Sequence, residues 1–152
     1  MKIFFIDPMS YNNLEEYDYS LISNIDTSFK VYFFGSNKFK TTTSLFKRYL
    51  IFNYSNYSNN LLKSILYIYS ILKLLLLYIY YRPNIVHIQW FKIPKLDYVI
   101  LRIYKLINPA VKIVFTAHNI LPHNSGNKFL NIYLKIYQFV DSIIVQDRKS
   151  VV

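Results

Sequence analysis

The chain has 152 residues, enough for one domain, and 53% of them are hydrophobic against 17% charged, which excludes an intrinsically disordered protein. The absence of cysteine excludes disulfides and thiolate metal sites, and the 2 glycines exclude a glycine-rich phosphate cradle. A net charge of +10 favours an anionic partner such as nucleic acid, anionic lipid or a phosphorylated small molecule, although a solvated basic surface explains it equally well.

The first third of the chain contains two strand patterns and one helix pattern. The apolar run from Lys2 to Ile6 is typical of a strand buried on both faces, and Asp7 ends it. Because this run is too short for a signal peptide, the sequence predicts a cytoplasmic protein. Residues Asn12 to Asn24 have helical apolar spacing, and Lys30 to Phe34 form a second apolar run.

The segment from Ser36 to Asn60 is the least regular part of the chain. It contains a run of three threonines and a stretch composed only of Asn, Tyr and Ser. We therefore expect a mobile loop here, with a short helix near Leu45 to Leu50.

The very apolar segment from Leu61 to Arg82 is long enough to span a bilayer. Lys73 lies at its centre, which is costly in hydrocarbon, and a helical wheel separates a more polar side from an apolar side. The polar side contains Lys63, Tyr67, Ser70, Lys73, Tyr78 and Tyr81, and the apolar side contains Leu61, Ile65, Ile68, Leu72, Leu75, Leu76 and Ile79. The prediction is an amphipathic helix whose apolar side packs on a sheet.

The remaining elements alternate between strand and helix. The predicted strands are Ile85 to Gln89, Val111 to Thr116 and Ser142 to Val145, and the predicted helices are Asp97 to Ile107 and Asn127 to Val140. This alternation predicts an α/β fold with a doubly wound, parallel, Rossmann-like sheet of five strands in the order 3-2-1-4-5.

A ligand crevice is expected at the topological switch point of this sheet, between the first and fourth predicted strands. Two loops would flank it. One is Asp7-Pro8-Met9-Ser10, and the other begins at Ala117-His118-Asn119.

The three histidines are the most informative polar residues. His87 lies inside a predicted strand, which indicates a buried, hydrogen-bonded core histidine. His118 and His123 flank a short loop beside the predicted crevice, where an imidazole can bond a sugar hydroxyl or stabilise a phosphate. The competing interpretation is an ordinary loop with a proline turn. No carboxylate accompanies the two histidines, so no metal site is predicted, and Asp7, Asp18, Asp97, Asp141 and Asp147 show no paired spacing typical of general acid and base groups.

Three stretches of the chain, Ile85 to Trp90, Lys112 to His123 and Asp141 to Val145, resemble glycosyltransferase family 4 of the GT-B fold. The resemblance is closest to enzymes of bacterial polysaccharide and O-antigen assembly, and it extends from Pro83 to Val145. It implies that residues 1–152 form the N-terminal acceptor-side domain, one half of a GT-B fold. The C-terminal domain, which would bind the nucleotide sugar, is not part of this sequence.

The resemblance also implies roles for individual residues. His118 would be catalytic and face the transferred sugar. The substrate-binding residues would be Asp7, Pro8, Met9, Ser10, Gln89, Trp90, Asn119 and His123. The sequence departs from the family pattern at Asp7 to Ser10, where a glycine-rich turn is usual, and at Gln89, where a histidine is common. Further departures are Asn124, where an acidic residue often stands, and Gln146-Asp147, which replace a common His-Ser pair.

The expected function is therefore the N-terminal part of a retaining glycosyltransferase that is inactive alone. With its missing domain or a second chain, it would transfer a sugar from a nucleotide-sugar donor to a lipid-linked saccharide in cell-surface polysaccharide synthesis, without a cofactor. The alternative is a non-catalytic binding module with the same fold. Nucleic-acid binding ranks last, because the basic residues are scattered and no recognised motif is present.

The net charge and the apolar helix together predict peripheral attachment to the anionic inner face of the cell membrane. The expected cationic contacts are Lys38, Lys40, Lys47, Arg48 and Lys63. Tyr54 and Tyr57 are expected at the level of the lipid headgroups.

Overall fold

A computed structural model describes residues 1–118 and 129–145 of the chain. The strands are β1 (Lys2–Asp7), β2 (Lys30–Ser36), β3 (Lys47–Phe52), β4 (Ile85–Ile88), β5 (Lys112–Ala117) and β6 (Ser142–Val145). The helices are α1 (Asn13–Ser23), α2 (Asn60–Tyr81), α3 (Pro94–Ile107) and α4 (Leu130–Phe139), and a short 3-10 turn covers Tyr54–Asn56.

The strands form one sheet in which each neighbouring pair is parallel, in the order β3-β2-β1-β4-β5-β6. Helices α2, α3 and α4 cover one face over the larger core cluster, and α1 contributes to a smaller cluster on the opposite face. Side chains of successive β1 residues alternate between the two, with Phe4 in the larger cluster and Phe5 in the smaller one. The predicted doubly wound, Rossmann-like α/β fold is thus confirmed.

The sheet has a strand that the sequence interpretation missed. The helix expected near Leu45 to Leu50 is wrong, because Lys47–Phe52 forms the edge strand β3 beside β2. The Tyr49 ring stacks on Phe34 at 5.1 Å between centroids, and Phe52 is fully buried, so packing on the sheet decides the conformation. With this additional strand, the neighbour of β1 at the switch point is β4 rather than β5.

Helix α2 packs on the sheet with the side opposite to the one predicted. Its buried residues are Tyr67, Ser70, Ile71, Leu74 and Tyr78. The predicted inner side is mostly in solvent, with Leu61, Ile65, Ile68, Leu72, Leu76 and Ile79 all exposed. The amphipathic assignment of this helix was therefore inverted.

Hydrogen bonds and ring contacts in the core explain this orientation. Tyr67 donates its hydroxyl to Asp97 Oδ1 at 2.7 Å, Tyr78 donates to the Tyr104 carbonyl at 2.9 Å, and Ser70 donates to the Ile51 carbonyl at 2.7 Å. The Tyr78 ring also stacks on Tyr104, with 4.3 Å between centroids. A tyrosine that satisfies its hydroxyl buries a large apolar ring, so a helix face rich in tyrosine can serve as the core face.

The ends of α2 follow standard capping chemistry. The Asn59 side chain accepts hydrogen bonds from the backbone N–H groups of Leu61 and Leu62, at 2.9 and 3.1 Å. At the other end, Arg82 adopts a left-handed conformation with φ 46° and Pro83 follows, which terminates the helix. Among the described residues, α2 alone is long and apolar enough to cross a membrane by length and composition.

Two leucines on opposite sides of α2 test its orientation. Leu74 is 1% exposed and Leu76 is 69% exposed. We expect Leu74→Ala to lower the free energy of unfolding by about 2–5 kcal/mol, and Leu76→Ala to change it by less than about 0.5 kcal/mol. Urea denaturation of both variants measures the difference. Similar losses, or a larger loss for Leu76→Ala, would contradict this packing.

Candidate functional site

The candidate site lies at the carboxyl ends of β1, β4 and β5. Parallel strands direct these ends to one edge of the sheet, and a ligand crevice is expected there, where the strand order changes direction between β1 and β4. The residues that follow these strands are Pro8, Gln89 and His118.

The half-buried imidazole of His118 is held on three sides. Its Nε2 donates to Gln89 Oε1 at 3.0 Å. The Trp90 ring stacks on it almost in parallel, with 4.7 Å between centroids and 5° between planes, and the Tyr17 ring meets it edge-on at 5.6 Å. This arrangement gives the imidazole a fixed orientation between two aromatic surfaces.

Gln89 links His118 to a second, buried histidine. Gln89 is fully buried, and its Nε2 lies 3.2 Å from His87 Nε2, which also contacts Thr116 Oγ1 at 2.8 Å. Burial, together with the nearby His118, lowers the pKa of His87 to about 4, so its ring is neutral near pH 7 and its Nε2 lone pair accepts both contacts. The predicted buried, hydrogen-bonded character of His87 is confirmed.

The loop after β1 uses its polar atoms within the protein. Asp7 Oδ1 accepts from the Met9 backbone N–H at 2.7 Å, and Ser10 Oγ accepts from the Ser36 backbone N–H at 2.8 Å. The Pro8 carbonyl accepts from the Tyr54 hydroxyl at 3.1 Å. The Tyr54 side chain is buried, with 3% of it exposed. Its predicted position at the headgroup level of a membrane is therefore wrong.

Gly35 allows this loop to approach β2. A Cβ atom at this position would lie 2.5 Å from both Ser10 Oγ and a carbon of the Phe33 ring. Since Ser10 and Phe33 are both fully buried, neither can easily move aside. The glycine is thus required by close packing under the site.

Beneath the loop, two buried carboxyl groups interact. Asp7 at the end of β1 and Asp18 in α1 are both almost completely buried. Burial raises the pKa of each, and repulsion from Asp7 raises the pKa of Asp18 further. Two carboxylates so close in the interior cannot both be charged at low cost, so Asp18 keeps its proton near neutral pH.

The structure brings only part of the predicted site together. His118 contacts both Gln89 and Trp90, and the loop of Asp7 to Ser10 lies at the same edge of the sheet. Asn119 and His123 lie outside the described residues. The sequence interpretation did not include Tyr17, Thr116 or Asp18, since no local pattern indicates that α1 and β5 place these side chains beside the crevice.

The half-buried polar group at this edge, His118, stands between two aromatic rings. The Trp90 indole N–H is buried and has no hydrogen-bond acceptor among the described residues. Within residues 1–118 and 129–145, no three His, Asp or Glu side chains are grouped as ligands for a metal ion.

Comparisons with family models, with curated proteins and with solved structures find no match to this chain.

The Asp7–Asp18 pair predicts a pH-dependent stability. The folded-state pKa of Asp18 is raised, so above its ordinary pKa of 3.8 the unfolded chain releases a proton that the folded chain retains. Stability therefore falls as pH rises towards the folded-state pKa, with a slope of at most about 1.4 kcal/mol per pH unit for this group. Asp18→Asn imitates the protonated acid and should flatten the decline between about pH 5 and pH 8.

Thermal unfolding across this pH range measures the effect. Glu16→Gln, an exposed position of the same helix, serves as the control and should keep the wild-type slope. Part of the decline should persist in Asp18→Asn, because burial also raises the pKa of Asp97 to about 7. Identical slopes in wild type and Asp18→Asn would show that the buried pair does not carry the proton.

Proposed function

We propose that this chain is the acceptor-side half of a retaining glycosyltransferase of the GT-B type. In the complete enzyme, a sugar would pass from a nucleotide-sugar donor to a lipid-linked saccharide during synthesis of a cell-surface polysaccharide. The donor would be held by a second domain or a second chain.

The position of His118 is the observation that carries this proposal. The stretches with the family resemblance form β4, β5, β6 and the residues that directly follow β4 and β5. His118, the residue to which the resemblance gives the catalytic role, stands at the carboxyl end of β5 and is oriented by Gln89 and Trp90. Ligands of open parallel sheets bind at this edge.

The chemistry of the crevice suits a saccharide. Sugar rings combine apolar C–H faces with hydroxyl groups, and the half-buried rings of Trp90 and Tyr17 stand beside the imidazole of His118. The deeply buried Asp7 and Asp18 are not assigned a catalytic proton transfer, because their side chains are closed off from solvent.

The proposed location is the cytoplasmic face of the cell membrane, where lipid-linked acceptors are found. Lys47, which contacts Tyr81 of α2, is exposed, as is Tyr57, which leaves both accessible to anionic headgroups. We do not assign nucleic acid as a partner.

A non-catalytic binding module remains the second candidate function. It is favoured by the loop after β1, in which Asp7 and Ser10 are buried and bonded to the protein backbone rather than presented to a ligand. The two candidates differ in what His118 does after the ligand binds.

The chain alone should bind an acceptor but transfer no sugar. Trp90 is the only tryptophan, so its fluorescence reports directly on the crevice. We expect a short-chain polyprenyl-linked disaccharide to change this emission. A nucleotide sugar should leave it unchanged, because a second domain or a second chain would hold the donor. No transfer is expected from the chain alone, because catalysis needs both substrates held together. Turnover of any nucleotide sugar by the purified chain would contradict the proposal.

Substitutions of His118 and His87 should have different effects, one on the rate of sugar transfer and the other on the stability of the fold. In the enzyme completed with its donor-binding part, His118→Ala should raise the activation free energy of sugar transfer by about 2–4 kcal/mol. This appears as a lower kcat with little change in KM. His87→Ala should mainly lower thermal stability, since it removes the acceptor that the buried Gln89 Nε2 and Thr116 Oγ1 contact. A folded His118→Ala enzyme with normal kcat would favour the non-catalytic module.

A further inference from the structure

An exposed apolar stripe runs along the whole outer side of α2. Six side chains form it, with exposed fractions between 45% and 71%. They are Leu61, Ile65, Ile68, Leu72, Leu76 and Ile79, hereafter the outer stripe. Their spacing of three or four residues places them on one line about 27 Å long. Continuous apolar surface of this size marks an interaction site rather than ordinary surface variation.

The part of the chain that contains the outer stripe is cationic and has no acidic residue. Residues 27–96, which include β2, β3, α2 and β4, have no Asp or Glu in the sequence. The same segment has ten basic residues: Lys30, Lys38, Lys40, Lys47, Arg48, Lys63, Lys73, Arg82, Lys92 and Lys95. All 8 acidic residues of the chain precede this segment or follow it, so charge is distributed asymmetrically along the sequence.

The side chains beside the outer stripe match the interface between water and lipid. Tyr69 and Tyr80 are 55% and 77% exposed, and the Lys73 ammonium lies 4.5 Å from the centre of the Tyr69 ring. Exposed tyrosine and lysine next to leucine and isoleucine are typical of helices that lie in the plane of a membrane surface.

The positive charge of α2 favours an anionic lipid surface over a second copy of the chain as the partner of the outer stripe. A second copy of the chain would bring a second α2, which has lysines and no carboxylate, against Lys63 and Lys73. An anionic lipid surface supplies the complementary charge and the apolar environment together.

We propose that the outer stripe of α2 docks on an anionic membrane, with the helix lying parallel to the bilayer surface. The stripe enters the region below the headgroups, while the inner side of α2 stays packed on the sheet. The inference rests on the peripheral attachment proposed above and does not require sugar transfer.

Vesicle binding by the full chain tests the surface. The probe is vesicles of equal parts phosphatidylcholine and phosphatidylglycerol, compared with pure phosphatidylcholine, without saccharide or nucleotide sugar. Leu76→Gln should lower partitioning roughly fivefold or more. The matched control is Leu45→Gln, at a position that is 62% exposed against 69% for Leu76 and that adjoins Phe46 of the cluster on the opposite sheet face. This control should bind like wild type.

The depth at which fluorophores on α2 enter the bilayer tests the orientation of this helix. The absence of native cysteine allows a single label on each variant. Fluorophores on Ile65→Cys and Ile79→Cys, about 21 Å apart along the helix, should be quenched by brominated lipids at the same shallow depth. A label on Ser20→Cys, exposed on α1, should stay unquenched.

Four results would overturn the proposal. They are no binding to anionic vesicles, equal loss of binding in Leu76→Gln and Leu45→Gln, unequal depths of the two α2 labels as in a spanning helix, and a dimer in solution that Leu76→Gln dissociates. Failure of acceptor binding or sugar transfer would refute the proposed function and leave these results unaffected.

Discussion

Buried tyrosine hydroxyls impose the constraint that organises the larger core. Such a group costs free energy unless it finds an acceptor, and three of them find acceptors that tie separate segments together. Tyr67 of α2 reaches Asp97 of α3, Tyr78 reaches the Tyr104 carbonyl, and Tyr54 reaches the Pro8 carbonyl in the loop after β1. The bonds of Tyr67 and Tyr78 determine which side of α2 faces the sheet, and they therefore determine which side remains in solvent.

The same constraint explains which parts of the fold could be predicted. Continuous apolar runs such as Lys2 to Ile6 identify buried parallel strands, because a strand covered on both faces has no other pattern. β3 was missed because Lys47 and Arg48 begin an edge strand, where exposed cations are tolerated and the apolar run is short. The inversion of α2 has another cause: average hydrophobicity ranks leucine above tyrosine, whereas the available acceptors favour burial of the tyrosines.

For the site, sequence reasoning found the residues that directly follow strands and missed those brought in from elsewhere. Gln89 and His118 could be placed because the carboxyl ends of parallel strands meet at one edge. Tyr17 and Asp18 come from α1, whose rotation over the sheet no local pattern specifies. The role of Gln89 as the link between His87 and His118 depends on the β4–β5 register, in which His87 lies opposite Val114 and Ile88 opposite Phe115.

The outer stripe begins at the same edge of the sheet as the crevice. Since α2 follows the 3-10 turn after β3, it begins at the carboxyl edge of the sheet, and it ends near Lys2, whose Nζ donates to the Tyr81 carbonyl at the opposite edge. Its first half contacts Asp97, which lies in the first turn of α3 a few residues after Trp90. A membrane under the outer stripe would therefore reach the edge of the domain at which His118 stands. A saccharide attached to a lipid could then enter the crevice while its lipid stays in the bilayer, which is the arrangement that both proposals together require.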